Sequence, residues 1–344
     1  MSSATPTPGR SSPPRLSRLV TGGGHRVYTL NVQAFVGLRV NVFVLLTGPA
    51  ERPDYCALID CGSPQPVSIA SLNALHLLRA QYGEQCGWET LDRIVVTHAH
   101  PDHAGGLPHV RSLSRAPVAA HEWGVPILED PHAFREEARG PLRAYAAWLG
   151  VPEGSEYAAR LENRANNLML PSGVPVRTTL RHGDLLDGLL QVWHTPGHAG
   201  SQVCLQFDDV LLSADHLLPR NSPPLLPAWL HRGGGLHAYL ESLNVIEGLS
   251  GVRVALGGHD EPMPAWRARI AELRARYETK LENVLAAAEG PSSVYDLTHR
   301  VARVNPRQAL LLLDQTAALC EELVRRGALR EMSGAGGEAT FQRV

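Results

Sequence analysis

The densest chemistry in the sequence lies between Thr97 and Gly106, where His98, His100, Asp102 and His103 fall within six residues. The apolar run Ile94-Val95-Val96 leads straight into them and reads as a buried strand ending in a functional loop. His98 and His100 are two apart, so an extended exit points both imidazoles the same way. Pro101 then ends any ladder, and Gly105 and Gly106 let the backbone pack closely beside whatever the cluster holds. Imidazole and carboxylate suit zinc, and also manganese, iron or nickel. With 16 histidines in the chain, one alone would carry no argument. Four adjacent potential ligands directly after an apolar strand do.

Further candidates recur in the same setting. Tyr55–Ile59 is apolar and ends in Asp60-Cys61-Gly62. Thr195-Pro196-Gly197-His198, Ser213-Ala214-Asp215-His216 and Gly257-Gly258-His259 follow, each after a strand-like run. His98-X-His100-X-Asp102-His103 with these four motifs, in this order, resembles the metallo-β-lactamase fold, over roughly residues 18 to 285. Within it, the chain resembles the glyoxalase II-like branch that carries a small C-terminal winged-helix domain. The resemblance implies an α/β, αββα sandwich with the site along one edge. It implies one metal on His98, His100 and His198, a second on Asp102, His103 and His259, and Asp215 bridging them. Asp60 sits where the family has a supporting acid, which would orient the ligands. His194 and His216 flank ligands and are candidates for facing the ligands or the substrate. His109, His121, His182 and Tyr239 read as structural.

The elements that must position these residues are legible around them. Strands are predicted at Val27–Leu30, Val40–Leu46, Tyr55–Ile59, Leu91–Val96, Val118–Ala120, Val174–Arg177, Leu189–Trp193, Val203–Phe207, Val210–Leu212 and Val252–Leu256, with Asp208-Asp209 as a hairpin turn. Helical spacing marks Ser68–Tyr82, Gly106–Leu113, His237–Leu249 and Trp266–Ala288. Two amphipathic segments, Phe134–Leu149 and Glu156–Leu170, form a helical insertion at about 131–170. Its apolar members Phe134, Leu142, Tyr145, Trp148, Leu161 and Leu168 suggest a lid over the site.

The domain reading is a disordered tail over 1–17, a catalytic domain over 18–288 and a winged-helix-like unit over 289–344. In that last unit Asn305-Pro306 would cap a helix Arg307–Arg326, followed by strands on either side of the turn Ser333–Gly337. Seven arginines there balance seven acidic residues, and the whole chain carries a net charge of −2. That gives no electrostatic case for nucleic acid or an anionic membrane. Packing on the catalytic domain or homodimerisation fits the unit better.

Five cysteines in irregular positions with no CxxC favour a reducing compartment. The Ser/Thr/Pro-rich start lacks an apolar signal region, and no apolar run is long enough to span a bilayer. Together these predict a cytoplasmic protein.

The resemblance implies a hydrolase. Two divalent cations, zinc foremost with manganese or iron as alternatives, against two carboxylates and a shared hydroxide keep about one positive charge, enough to acidify water. Asp102 and Asp215 would be the catalytic acids. The expected substrate is a small molecule with a thioester or ester, of the acyl-CoA or acyl-glutathione type. A phosphodiesterase or ribonuclease, or a mononuclear iron dioxygenase, are the alternatives within the fold. His100 argues against the di-iron oxygen reductases, which carry Glu there. A binding-only protein would have little reason to keep seven ligand positions.

Overall fold

A computed structural model of the chain describes residues 15–163, 170–302, 309–334 and 337–344. Two β-sheets lie face to face. The first has seven strands in sequential order: β1 (Arg15–Val20), β2 (Arg26–Phe35), β3 (Leu38–Thr47), β4 (Tyr55–Ile59), β5 (Arg93–Val96), β6 (Val118–His121) and β7 (Thr178–Leu180). The second has five, β8 (Leu185–Leu186), β9 (Leu190–His194), β10 (Val203–Phe207), β11 (Val210–Ala214) and β12 (Val254–Gly257), running 12-11-10-9-8. Strands β1 to β4 are antiparallel, whereas β4 to β7 are parallel, as is the pair β11–β12. Parallel neighbours need crossovers, and those crossovers are the helices that cover the outer faces.

Alternation along the strands builds three apolar layers. Val27, Phe43, Leu45, Ile59 and Val95 face Val192, Leu205, Val210 and Leu212 between the sheets. The opposite face of the first sheet, with Tyr28, Leu30, Val42 and Ile94, packs on Leu72, Leu75, Leu78, Leu107 and Val110. The outer face of the second sheet buries Cys204, Leu211 and Ala255 against the helices Leu236–Glu247 and Trp266–Ala287. Helix, sheet, sheet, helix is the order expected of the αββα fold.

Differences from the sequence reading have local causes. The single helix expected over Ser68–Tyr82 is interrupted by a 3-10 turn, Asn73–His76, at an asparagine of poor helix propensity. The strand expected at Val174–Arg177 pairs only from Thr178, since Pro175 has no N–H to give a ladder. Arg15–Ser17, read as tail, already belong to β1, which pairs with β2; residues 1–14 lie outside the described residues. Cys56 and Cys86, 30 apart in sequence, form a disulfide. The reducing compartment inferred from the cysteine pattern therefore loses its footing. No helix among the described residues is long and apolar enough to cross a membrane.

The insertion is helical, over Pro131–Trp148 and Glu156–Glu162; the expected extension to Leu170 and the residue Leu168 fall partly or wholly outside the described residues. Its described residues pack on the C-terminal region, not as the expected lid. Tyr145, Leu149 and Leu161 are buried in the core shared with the C-terminal region. The Tyr145 hydroxyl donates to Asp314 Oδ1 (2.9 Å) and Trp148 Nε1 to Glu331 Oε1 (2.8 Å). The C-terminal region consists of the helices Val294–Val301 and Ala309–Arg325 and a sheet of β13 (Ser292–Ser293), β15 (Ala339–Arg343) and β14 (Leu329–Ser333). The predicted cap Asn305-Pro306 and part of the Gly-rich turn lie outside the described residues.

Candidate metal centre

Five strand ends deliver the cluster. Asp60 follows β4, the His98–His103 stretch follows β5, His198 follows β9, Asp215 follows β11 and His259 follows β12. Backbone hydrogen bonds tie these ends together: Asp60 N–H to Val95 O (2.8 Å), Val203 N–H to Thr97 O (3.0 Å) and Gly258 N–H to Ala214 O (2.7 Å). Asn41 on β3 locks the His259 loop, its Nδ2 donating to the Gly257 and Asp260 carbonyls at 3.0 Å each.

The seven residues singled out in the sequence converge. Ligand-capable atoms of His98, His100 and His198 lie within 4.8 Å of one another, as do those of His98, His103 and Asp215, and those of Asp102, His103 and His259. Asp215 reaches in three directions: Oδ1 is 3.3 Å from His103 Nε2, and Oδ2 is 3.5 Å from His198 Nε2 and 3.3 Å from His259 Nε2. Asp102 Oδ2 stands 3.7 Å from His103 Nε2 and 3.5 Å from His259 Nε2. Two tetrahedral ligands of one zinc sit about 3.4 Å apart, so the spacing fits shared ions.

The far side of four of the five rings is already engaged. His198 Nδ1 meets the Pro224 carbonyl (2.7 Å), His259 Nδ1 the Arg39 carbonyl (2.5 Å) and His103 Nδ1 the Asp60 Oδ2 (2.8 Å). Asp60 also accepts from the Thr97 N–H and Oγ1, both at 2.8 Å, and Thr97 Oγ1 lies 3.1 Å from His98 Nδ1. Inward, His98 Nε2, His103 Nε2, His198 Nε2 and Asp215 Oδ1 are buried without a hydrogen-bond partner. Buried polar atoms left unpaired in this number call for an ion. The donor set, neutral nitrogens and carboxylate oxygens, fits a divalent transition metal.

Electrostatics point the same way. Burial and then neighbouring histidines hold His98 and His100 well below the usual imidazole pKa, so they are neutral and ready to donate. Burial also opposes charge on His103 and His259, but the carboxylates around them win, Asp215 foremost. His103 is held well above its ordinary value and His259 rises to about 9. Asp215 is likewise pressed upward by burial, yet His103 and His259 bring it well below the carboxylate range. Protons there stand where cations would.

The flanking histidines are not in the cluster. His194 Nε2 meets the Gly200 carbonyl (2.7 Å) and its ring stacks on His121 at 3.8 Å, bracing the loop that presents His198. His216 is fully buried against Tyr239, whose hydroxyl donates to the His216 carbonyl (3.0 Å), and burial lowers its pKa to about 3. Gly105 and Gly106 do allow a close approach, but to the Cys61–Pro64 backbone and not to the cluster. The glycine that makes room for the cluster is Gly258, where a Cβ would collide with Asp215 Oδ1 and His103 Cε1. Its place in Gly257-Gly258-His259 was the available signal.

The cluster opens into a cavity of about 1430 Å³. Its walls include His100, Asp102, His198, Asp215 and His259, the loop Leu218–Leu226, the β1–β3 face, and Arg276, Lys280 and Gln315 from two helices. No described residue of the insertion lines it.

Residues 36–259 match the family model of the metallo-beta-lactamase superfamily. The chain belongs to this superfamily. Among solved structures it resembles a metallo-beta-lactamase family protein from Thermus thermophilus, with 28% identity, a TM-score of 0.72, and coverage of 92% of this chain and 98% of that one. A beta-lactamase domain protein from Burkholderia ambifaria matches with 22% identity and a TM-score of 0.74 over 98% of both chains. A subclass B3 metallo-beta-lactamase of Bradyrhizobium japonicum, at 18% identity and a TM-score of 0.51 over 80% of this chain and 97% of that one, shares the fold. No curated protein matches the chain by sequence.

Proposed function

We propose that the protein is a dinuclear metal-dependent hydrolase of small-molecule thioesters or esters. The observation that carries this is the set of buried, unpartnered nitrogens and carboxylate oxygen aimed at common points, with their outer atoms already held. His98, His100 and His198 would hold one ion, Asp102, His103 and His259 the other, with Asp215 shared; zinc is the metal this donor set favours, and manganese or iron would also fit. Divalent metals bound there supply an acidified water and a Lewis acid for the substrate's carbonyl oxygen. Asp215 lies at the centre of the cluster and offsets the cations' charge. Asp102 lines the cavity beside His103 and His259, placed to take a proton from a water at the cluster. Asp60 fixes the tautomer and angle of His103.

The loop Leu218–Leu226 and the helix Ala309–Arg325 give the cavity a partly apolar wall suited to an acyl group, and the helix Trp266–Ala287 adds Arg276 and Lys280. We place the C-terminal region in this role, as part of the pocket, through Leu311, Leu312 and Gln315. A balanced charge in that region speaks against a nucleic-acid substrate. The test is turnover by the purified zinc and manganese forms of thioesters, lactones and single-stranded RNA. The expected result is thioester or ester hydrolysis with no RNA cleavage. RNA cleavage at comparable rates would overturn the substrate class.

A further inference from the structure

We propose that Lys280, together with Gln315, binds an anionic group at the non-reacting end of the substrate. This rests on reading the cavity as the substrate site of a hydrolase. Lys280 is the only lysine among 32 basic residues, all the others being arginine. It lies half-buried in the wall of the same cavity that reaches the metal cluster.

Its surroundings lack a counter-charge. Among the described residues it makes no ion pair with a carboxylate. Its Nζ donates to Gln315 Oε1 (2.9 Å) and lies 5.0 Å from the centre of the Tyr277 ring. Arg276, one turn away, repels it and is itself met by Glu272 at 2.5 Å. Asp314, next to Gln315, accepts the Tyr145 hydroxyl. Arg220, on the loop side, is paired with Glu261 at 2.9 Å. An ammonium partly stripped of water and without an opposite charge beside it is costly. Burial, reinforced by Arg276, accordingly lowers its pKa to about 8.

Gln315 completes the argument. An ammonium can only donate, so the amide must turn its oxygen to Lys280. That leaves Gln315 Nε2 a buried donor beside the Tyr277 hydroxyl, with no hydrogen bond of full geometry. Two neighbouring donors with hydrogens to spare suit a carboxylate or phosphate oxygen. Leu225, Leu311 and Leu312 also line the cavity. The substrate class is therefore a thioester or ester whose apolar body ends in a carboxylate or phosphate.

A purely structural Lys280, tying one helix to another through Gln315, predicts a loss of stability and nothing else. The experiment has two arms. Metal-free full-length protein, with its fold checked by thermal melting, is titrated calorimetrically with inorganic phosphate and with acetate at low ionic strength. Wild type is compared with Lys280→Met and Lys280→Arg. At least one anion should bind, about tenfold more weakly in Lys280→Met and less affected in Lys280→Arg; the preferred anion tells phosphate from carboxylate. Next, the metal-loaded enzyme is offered an aryl thioester bearing a distal carboxylate and its carboxamide analogue. Lys280→Met should raise KM about tenfold for the carboxylate alone, with kcat within about twofold. Equal anion affinity in wild type and Lys280→Met, or no binding of either anion at millimolar concentration, overturns the proposal. A failure of every thioester and ester, with the anion result intact, would overturn the hydrolase reading instead.

Discussion

Four of the five ligand histidines in this cluster divide the work between their two nitrogens, and the division sets what single substitutions do. The outer nitrogens of His103, His198 and His259 meet fixed oxygens, which holds the inner ones in place before any ion arrives. Gly258 guards that arrangement from the opposite side. Gly258→Ala should push Asp215 or His103 aside and weaken metal binding by about 10- to 100-fold. The fold should survive, since the clash is with side chains, and metal titration followed by calorimetry would measure the loss; unchanged affinity would mean the clash is relieved elsewhere. Lys280 gives a pH prediction. Its ammonium is present below about 8 and lost as pH rises through that value, so KM for a substrate with an anionic end should rise with pH there. Arg220, whose pKa is raised by its pairing with Glu261, stays charged throughout. Lys280→Arg should remove the rise near pH 8, and a KM profile flat from 7 to about 9.5 in wild type would contradict the assignment. The ligand positions were legible because four lie in one short stretch and the others end apolar runs. Gly258 stood inside a visible motif, but its role and that of Lys280 depend on neighbours distant in sequence.

At the scale of elements, the helix Trp266–Ala287 reaches the metal site through a loop. The buried Arg269 donates to the Leu218 carbonyl (2.8 Å) and the Asn221 carbonyl (2.9 Å), and the Tyr277 hydroxyl donates to the Pro223 carbonyl (3.2 Å). The next residue, Pro224, accepts from His198. Arg269→Met keeps the apolar stem and removes both anchors. It should cost about 2–3 kcal/mol of stability and weaken metal binding, read by thermal melting and metal titration together. A stability loss with metal affinity untouched would show that the loop holds His198 without the helix. The ends of β4 and β10 could be read from sequence to the residue, because buried strands bounded by turns leave little freedom. The strand expected before Thr178 failed on a proline, and the hairpin Asp208-Asp209 succeeded because Asp208 accepts a left-handed φ of 54°.

Over the whole molecule, the insertion and the C-terminal region work as one body against the second sheet. A shared apolar core holds Tyr145, Leu149 and Leu161 with Leu281, Val284, Leu319 and Phe341. Amphipathicity revealed that the insertion must be covered, but not by what. A surface helix and a lid carry the same periodicity, and only tertiary packing separates them. The cavity wall that periodicity assigned to the insertion is built by the C-terminal helices.

The central claim is that this cluster holds two metals and that they perform the hydrolysis. Elemental analysis of the purified full-length protein, set beside Asp215→Asn, tests it most directly. The account predicts close to two transition-metal ions per chain in the wild type. In Asp215→Asn it predicts markedly fewer, with turnover down by orders of magnitude and the fold intact by circular dichroism, because an amide brings no negative charge between two cations. A well-folded, fully loaded wild-type preparation that reproducibly held a single iron, or an Asp215→Asn variant with normal metal content and turnover, would contradict it.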